Sequence, residues 1–273
     1  MIQISGYDIE QLNTLPLSDL DKYIVNQKEK SPVVYHYDSL EALEFELEMR
    51  TNIVEAARAL DASHASFATF KNSRCNNQLW TLTENGGFRL KSEVLPSDGI
   101  NDIFDNGHLY AFECATAMVI ILYKGTLDSI HQQTFNAYFR NLFLRDWKYD
   151  SDLRLRMTHD KNEAYPGDVV YFSNPDHDPA TPEWQGENTI LLADDLYFGH
   201  GIGIRTSEEM IASLNHKRIP GSQTSAHISD IVLYPDFEYL RKLSTRGNWE
   251  VTRPYIDSVF LAKIGTHRYR FSC

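Results

Sequence analysis

The chain has 273 residues, of which 42% are apolar, so it can bury a sizeable core as one large domain or two small ones. Its 26 basic and 38 acidic residues give a net charge of −12, which argues against nucleic acid or an anionic membrane as the main partner. The sequence has no apolar run of about 18 residues that would predict a membrane span, no secretion signal, and three scattered cysteines that predict no disulfide framework.

The first half of the chain predicts mainly helices. Residues 1–35 are polar and broken by two prolines, which predicts an N-terminal arm with a short helix. Apolar residues then recur at helical spacing, which predicts an amphipathic helix that begins at Ser39 and ends near Ser63. The further elements predicted here are a short strand or turn at 67–70, a hairpin joining 79–82 to 88–90, a helix capped by Ser97 that runs to Phe104, a helix from Cys114 to about Ile130, and a helix from Gln133 to Leu142.

From Trp147 onward the pattern changes to strands. The predicted strands cover 153–157, 169–172, 188–192 and 196–198, with a loop at 173–183 and a turn at 194–195. Because helices come first and strands second, the sequence predicts the α+β class.

The turn at 194–195 sets an expected hairpin register. If the turn centres on these two aspartates, Ile190 lies opposite Gly199, and Glu187 and His200 project from the same face. Both side chains could then reach one thiol. A loop of odd length would separate them.

Cys114 precedes a very apolar segment, 117–122, which predicts a buried helix with the thiol at its positive end. Attack of a thiol on an amide also needs a proton acceptor and donors for the oxyanion, and the N–H groups at the helix start could be those donors. Glu187 or His200 could move the proton. A neighbouring carboxylate disfavours a thiolate, so a Cys–Glu pair would rest as a neutral thiol, unlike a Cys–His pair.

Three short motifs stand out: Phe-Glu-Cys-Ala-Thr-Ala at 112–117, Trp-x-Gly-Glu-Asn at 184–188 and His-Gly-x-Gly at 200–203. With further matches across 31–205, they resemble the spore-coat transglutaminases of spore-forming bacteria, a family of protein-glutamine gamma-glutamyltransferases. The resemblance implies a papain-like (NlpC/P60-like) α+β core, in which helices flank a mainly antiparallel central sheet and the catalytic cysteine begins a helix.

The resemblance also implies roles for individual residues. Cys114 and Glu187 would form a Cys–Glu pair, Glu113 would be a second carboxylate beside the cysteine, and His200 would be auxiliary. The simpler alternatives are a helix cap at Glu113 and a structural, hydrogen-bonded His200. The residues expected to bind substrate are Phe67 and Trp184, as walls of a passage to the thiol, and Tyr171.

The implied activity is calcium-independent acyl transfer from protein Gln to protein Lys through a cysteine thioester, with no cofactor and no metal. It would release ammonia and cross-link spore coat proteins that bear reactive Gln and Lys. We expect a monomer with one catalytic domain over 1–245. Residues 246–273 match no family motif and form an extension of unknown role. The protein would be made in the mother-cell cytoplasm and then placed in the spore coat.

Two other functions are compatible with the residues alone. The first is a papain-like cysteine amidase or peptidase that uses Cys114 and His200. The second is a structural coat protein without activity, although the mixed, non-repetitive composition argues against it. Asp176, His177 and Asp178 are metal-ligand types, but adjacent residues rarely converge on one ion, so this segment is predicted to be a solvated loop.

Overall fold

The computed structural model describes residues 1–6, 12, 15–245, 259–264 and 267–272, the last two ranges by their backbone alone. The helices are α1 (Asp19–Lys30), α2 (Leu40–Ala62), α3 (Pro96–Asp105), α4 (Cys114–Ser129), α5 (Gln132–Tyr138), α6 (Ser207–Asn215) and α7 (Phe237–Thr245). The strands are β1 (Ile2–Ile4), β2 (Tyr35–Tyr37), β3 (Ser66–Phe67), β4 (Trp80–Leu82), β5 (Phe88–Leu90), β6 (Ala111–Phe112), β7 (Phe143–Leu144), β8 (Leu155–Thr158), β9 (Val169–Ser173), β10 (Gly186–Ala193), β11 (Leu196–Gly199), β12 (Gly203–Arg205), β13 (His227–Pro235), β14 (Val259–Ile264) and β15 (His267–Ser272).

The main sheet has six strands in the order β12-β11-β10-β9-β13-β8, and every neighbouring pair in it is antiparallel. Helices α2 and α4 pack against β10 of this sheet. Two of the smaller sheets are formed by β4, β5 and β7 and by β3 and β6. The prediction of an α+β fold with a mainly antiparallel sheet flanked by helices is therefore confirmed.

The α4 helix forms the centre of the largest apolar cluster, because it is apolar on nearly every side. It packs closely against α2 at Gly125. A Cβ atom at that position would lie 2.5 Å from Ile53 Cγ1 and 3.1 Å from the Ile53 main-chain nitrogen. The missing side chain thus allows the two helices to approach closely at this point.

A second apolar cluster joins the N-terminal segment to α2. Ile2, Ile4 and Ile24 are buried there against Leu43 and Leu47. Strand β1 pairs with β2 in parallel, and this cluster joins β1, α1 and β2 to α2.

A buried network of four charged residues lies between this cluster and the main sheet. Lys28 Nζ is 2.6 Å from Glu46 Oε1, and Arg50 Nε is 2.8 Å from the same oxygen. Arg50 Nη1 continues the network to Asp168 Oδ1 at 2.7 Å. All four side chains are almost fully buried, and the network therefore connects α1 and α2 to the turn that begins β9.

The long amphipathic helix is confirmed as α2, with Ser39 and Ser63 as its flanking caps. The prediction that Ser97 caps the next helix is wrong. Leu95 is the N-cap, and Pro96 takes the first helical position, where its fixed φ suits the helix start. Ser97 lies inside the helix, where its N–H donates to Asn136 Oδ1.

Two other boundaries differ from the prediction. The α5 helix ends at Tyr138 instead of Leu142, because the Leu142 carbonyl accepts the N–H of Leu90 and the chain continues into β7. The strand predicted from 153 begins at 155, because Arg154 has a left-handed φ of 43° that interrupts it.

The hairpin of β10 and β11 forms around the predicted turn, but the predicted register is wrong beyond Ala193. Ala193 lies opposite Leu196, as expected from a turn at 194–195. A bulge between Leu191 and Ala193 then shifts the pairing by one residue, so Ile190 lies opposite Phe198 instead of Gly199. A shift of one residue reverses the faces, and Glu187 and His200 no longer share one.

The predicted extension, 246–273, includes the antiparallel pair β14 and β15, and its other residues, Cys273 among them, lie outside the described residues. Within the described part of the chain, no helix combines the length and apolarity needed to cross a membrane.

Candidate active site

Cys114 is the first residue of α4, as predicted, and Glu113 is its N-cap. The Glu113 carboxylate accepts the N–H of Ala115 at 3.0 Å and the N–H of Thr116 at 2.9 Å. The expectation that several N–H groups of this helix hold an oxyanion is therefore too broad. The Glu113 carboxylate accepts two of these N–H groups. The N–H of Cys114 is the donor in the first turn that this carboxylate does not accept.

A pair of short strands positions the residues just before Cys114. Strand β6 pairs in parallel with β3, and Phe112 lies opposite Phe67. Asp146 adds a second constraint, because its N–H donates to Thr116 Oγ1 at 2.8 Å while that hydroxyl donates to Glu113 Oε1 at 3.0 Å. The carboxylate of Glu113 is thus fixed beside the thiol, with 3.6 Å between Cys114 Sγ and Glu113 Oε2.

Glu187 follows Gly186 at the start of β10, and its side chain is only 1% exposed. One carboxylate oxygen, Oε1, accepts the N–H of Gly201 at 3.0 Å. The other, Oε2, is buried and has no hydrogen-bond partner among the residues that the structure describes. Burial raises the pKa of Glu187 to about 8, against the smaller opposing effect of the Gly201 hydrogen bond.

Asn188 also belongs to the site, and its role was not predicted from the sequence. Its Nδ2 lies 3.4 Å from Cys114 Sγ and can donate a hydrogen bond to the sulfur. The sequence does contain a signal, since Asn188 is a polar residue at the start of the apolar run Ile190–Leu192. A polar side chain inside a buried strand requires a partner, and here the partner is the thiol.

The thiol is held in its neutral form by its surroundings. Burial raises the pKa of Cys114 well above its ordinary value, and the charges of Glu187 and Glu113 raise it further. The hydrogen bonds from Asn188 oppose this shift without reversing it. Glu187 precedes Asn188 in β10, and Asn188 Nδ2 contacts the sulfur, so both ends of this contact lie in the buried part of the site.

His200 lies apart from this group. Its ring stacks on Phe112 with 4.6 Å between centroids, and its Nε2 is 3.1 Å from the Ser66 carbonyl oxygen. Burial lowers the pKa of His200 to about 4, although the carbonyls of Ser66 and Phe112 favour the charged ring. No hydrogen bond joins this ring to the thiol in the described part of the chain. The expectation that His200 reaches the thiol together with Glu187 rested on the register that the bulge changes.

Two aromatic residues cover the site. Phe67 and Trp184 are half-buried and stacked, with 5.5 Å between ring centroids and 29° between planes. Tyr171 lies in β9, opposite Asn188 of β10, and its hydroxyl donates to the Gln185 carbonyl. Phe67 and Trp184 lie near Glu187, because an ideal Cβ atom at Gly201 would be 3.3–3.4 Å from atoms of all three residues. The roles of Phe67, Trp184 and Tyr171 in binding substrate stay predictions.

The remaining candidate residues lie elsewhere. Asp176 accepts a hydrogen bond from Ser222, and the residues with described side chains include no cluster of three or more His, Cys, Asp or Glu residues able to hold a metal ion. Cys75 is half-buried beside the α3 region, and burial raises its pKa to about 11.

Comparison with known proteins places this site in a family. A family model for protein-glutamine gamma-glutamyltransferase matches residues 1–244. A protein-glutamine gamma-glutamyltransferase of Halalkalibacterium halodurans is 40% identical over 274 residues, which cover 99% of this chain and 96% of that protein. One from Bacillus cereus is 47% identical over 235 residues, or 85% of each chain. A solved transglutaminase structure from Geobacillus stearothermophilus, without its C-terminal extension, is 48% identical with a TM-score of 0.72, covering 76% of this chain and 98% of that one.

Proposed function

This chain belongs to the protein-glutamine gamma-glutamyltransferase family, and on that premise we propose that it transfers the acyl group of a protein glutamine to a protein lysine through a thioester on Cys114. One observation carries the proposal. A buried thiol at the start of a helix lies 3.4 Å from the Nδ2 of Asn188, the residue that follows the buried carboxyl of Glu187 in β10. Thiol acyl transfer requires such a nucleophile beside such a proton acceptor.

In the first half-reaction, the Glu187 carboxylate takes the thiol proton while sulfur attacks the carboxamide carbon of glutamine. The oxyanion accepts the main-chain N–H of Cys114, and the amide of Asn188 supports the charge that develops on sulfur. The C–N bond then breaks, and the proton held by Glu187 moves to the nitrogen. Ammonia leaves, the thioester remains, and Glu187 is ionised again.

In the second half-reaction, the ε-amine of lysine attacks the thioester carbon. The new C–N bond forms as the C–S bond breaks, and one amine proton passes through Glu187 to the sulfur. The product is an ε-(γ-glutamyl)lysine bond. The thiol is 7% exposed and Glu187 is 1% exposed, beneath Phe67 and Trp184, so the site limits water, the competing nucleophile.

The papain-like amidase has less support from the geometry. That mechanism uses an imidazolium to stabilise the thiolate. His200 is directed to the Ser66 carbonyl and has a pKa of about 4, so its ring is neutral at pH 7.

The proposed substrates are spore coat proteins with reactive Gln and Lys side chains, and the proposed location is the spore coat after synthesis in the mother cell. The net charge of −12 supports lysine-rich partners, because opposite charge accelerates and orients encounter. We propose that the enzyme acts as a monomer.

The test is incorporation of a labelled primary amine into a Gln-bearing protein, with ammonia release measured in parallel. Cys114→Ala should lose activity by about 10³-fold or more, as for other removals of a nucleophile. Cys75→Ala is the matched control, since it removes the same thiol group from a half-buried position outside the site. Activity in Cys114→Ala above a tenth of wild type would place the nucleophile elsewhere.

We also propose that the reaction needs no calcium. Glu187 and Asn188 supply proton transfer and charge stabilisation without an ion. Dialysis against EDTA should leave amine incorporation unchanged. Loss of activity that calcium alone restores would contradict the proposal.

A further inference from the structure

The first turn of α4 reverses the usual order of a capping box. In that box, Ser or Thr is the N-cap and an acidic residue lies three positions later. Helices α1 and α6 follow this order, with Ser18 and Thr206 as their N-caps. In α4 the acidic residue, Glu113, is the N-cap and Thr116 lies three positions later. Glutamate is not among the residues preferred at an N-cap, and departures from local rules are typical of functional sites.

The reversed order places a carboxylate beside the thiol. Glu113 Oε1 accepts both the N–H of Thr116 at 2.9 Å and its hydroxyl at 3.0 Å. Glu113 Oε2 accepts the N–H of Ala115 at 3.0 Å and lies 3.6 Å from Cys114 Sγ. Thr116 thus holds one oxygen with two hydrogen bonds, and the other oxygen lies at the sulfur. With the usual order, the residue before the cysteine would carry a neutral hydroxyl.

The hydroxyl of Thr116 is itself oriented by Asp146. Its oxygen accepts the N–H of Asp146 at 2.8 Å, so its single proton is donated to Glu113. Asp146 has a left-handed φ of 52°, which aspartate tolerates better than most residues and which is found at functional sites. Thr116 is only 2% exposed, so water does not compete for these hydrogen bonds.

We propose that Thr116 is a positioning residue that acts through Glu113. Its hydroxyl keeps the carboxylate charged and beside Cys114, so that the thiol stays protonated in the resting enzyme. The charge of Glu113 disfavours the thiolate of Cys114. This inference rests on the proposed function, since it concerns how the nucleophile is held neutral before the acyl donor binds.

Two other carboxyls face Glu113 from different elements. Asp146 lies after β7 and Glu187 lies in β10, and like charges at these positions disfavour each other. Burial also raises the pKa of Glu113. The interactions that lower it are hydrogen bonds, from the N–H groups of Ala115 and Thr116 and from the Thr116 hydroxyl. Of these donors, only the hydroxyl can be removed without changing the backbone.

The experiment measures alkylation of Cys114 by iodoacetamide between pH 5 and 10, by mass spectrometry of the peptide that contains it. Thr116→Val removes the hydroxyl and keeps the size of the side chain. Glu113 should then be charged less often, and alkylation at each pH below the pKa of the thiol should be about 3–10-fold faster, a shift of the profile by about 0.5–1 unit. Thr116→Ser keeps the hydroxyl and should retain the wild-type profile.

Thr126→Val is the matched control, because Thr126 is buried in the same helix and its hydroxyl donates to the Leu122 carbonyl at 2.8 Å. It should keep the wild-type profile whatever its stability. A second comparison introduces Thr116→Val into Glu113→Gln. If Thr116 acts through the charge of Glu113, the profile should not shift further there.

Three results would overturn the inference: a wild-type profile in Thr116→Val, an equal shift in Thr126→Val, or a full further shift in the Glu113→Gln background. Thermal unfolding shows whether each variant is folded. Should Thr116→Val fail to fold, Thr116→Ala also removes the hydroxyl and has the same expected profile. Alkylation needs no acyl donor, so these results are independent of acyl transfer. Absence of amine incorporation by wild type would instead refute the proposed function.

Discussion

Single residues determine how the proton moves in this site. If Glu187 is the proton acceptor, Glu187→Gln should slow amine incorporation by about 10²–10⁴-fold, because an amide cannot take the thiol proton. His200→Ala should cost less, since its ring contacts Phe112 and the Ser66 carbonyl. Steady-state rates of both variants check this. A larger loss in His200→Ala would reverse the assignment.

The pH dependence follows from the raised pKa of Glu187. An acid with a pKa of about 8 is mostly protonated at pH 7 and gains its charge only at higher pH. Activity should therefore rise between about pH 7 and 9, by up to about tenfold. Alkylation of Cys114 by iodoacetamide should rise with pH as well, because burial and two carboxylates disfavour the thiolate. Measuring both from pH 5 to 10 is the test. A fast, flat alkylation rate down to pH 5 would indicate a preformed thiolate–imidazolium pair and favour the amidase.

The candidate catalytic residues could be identified from the sequence, but only some of their contacts could. The apolar segment after Cys114 predicts a buried helix, and the thiol does begin one. The contact between Asn188 and the thiol joins residues 74 positions apart, and no local pattern specifies it.

The start of α4 carries a carboxylate that both caps the helix and opposes the thiolate. Ala115 and Thr116 donate to different oxygens of the carboxylate, so Glu113→Gln keeps an oxygen for one of these two N–H groups and removes the charge. The pKa of Cys114 should then fall, and its alkylation at pH 7 to 8 should become faster.

Glu113→Ala is the comparison that isolates the cap. It removes the charge and both hydrogen bonds, so the free energy of unfolding should fall by about 0.5–2 kcal/mol. Chemical denaturation of the two variants measures the difference. Equal stability of Glu113→Gln and Glu113→Ala would show that the cap contributes nothing.

Helices were predicted more accurately than strand register, for a physical reason. The helical spacing of apolar residues in α2 is a local pattern, and it locates the ends of the helix at Ser39 and Ser63. The bulge between Leu191 and Ala193 lies within an unbroken apolar run that lacks the alternation of apolar and polar residues, so the pattern cannot show where the pairing shifts. That one residue changed the face on which His200 was expected.

The buried network of Lys28, Glu46, Arg50 and Asp168 connects the N-terminal segment to the main sheet. Glu46→Gln should lower the free energy of unfolding by about 3–5 kcal/mol at pH 7, because it leaves two buried cations short of one anion. Glu48→Gln is the matched control, since Glu48 is exposed on the same helix. Sequence patterns could not predict the network, whose Arg50 and Asp168 are 118 positions apart.

The same variant has a defined pH dependence. The two cations hold the pKa of Glu46 at about 2, against 4.5 for an ordinary glutamate. A lowered pKa stabilises the fold above pH 4.5, and that stabilisation is lost as pH falls through 4.5 toward 2. The difference in unfolding free energy between wild type and Glu46→Gln should narrow over that interval in denaturant titrations. A constant difference would contradict the assignment.

The buried carboxyl of Glu187 makes folding stability depend on pH in the opposite direction from Glu46. It therefore relates the activity of the enzyme to its stability. Its pKa is about 8 when folded and near 4.5 when exposed, so its stabilisation is complete below pH 4.5 and is lost as pH rises through 8. The free energy of unfolding should fall by about 3–5 kcal/mol over this pH range in wild type, and Glu187→Gln should not show this decrease. Unfolding curves of wild type and this variant should therefore diverge from pH 5 to 9, with the variant the more stable at the alkaline end. With respect to Glu187, the ionised form that is ready to react is the form more easily unfolded. A mildly acidic pH above 4.5, at which the Glu46 network keeps its stabilisation, would keep the enzyme both inactive and stable.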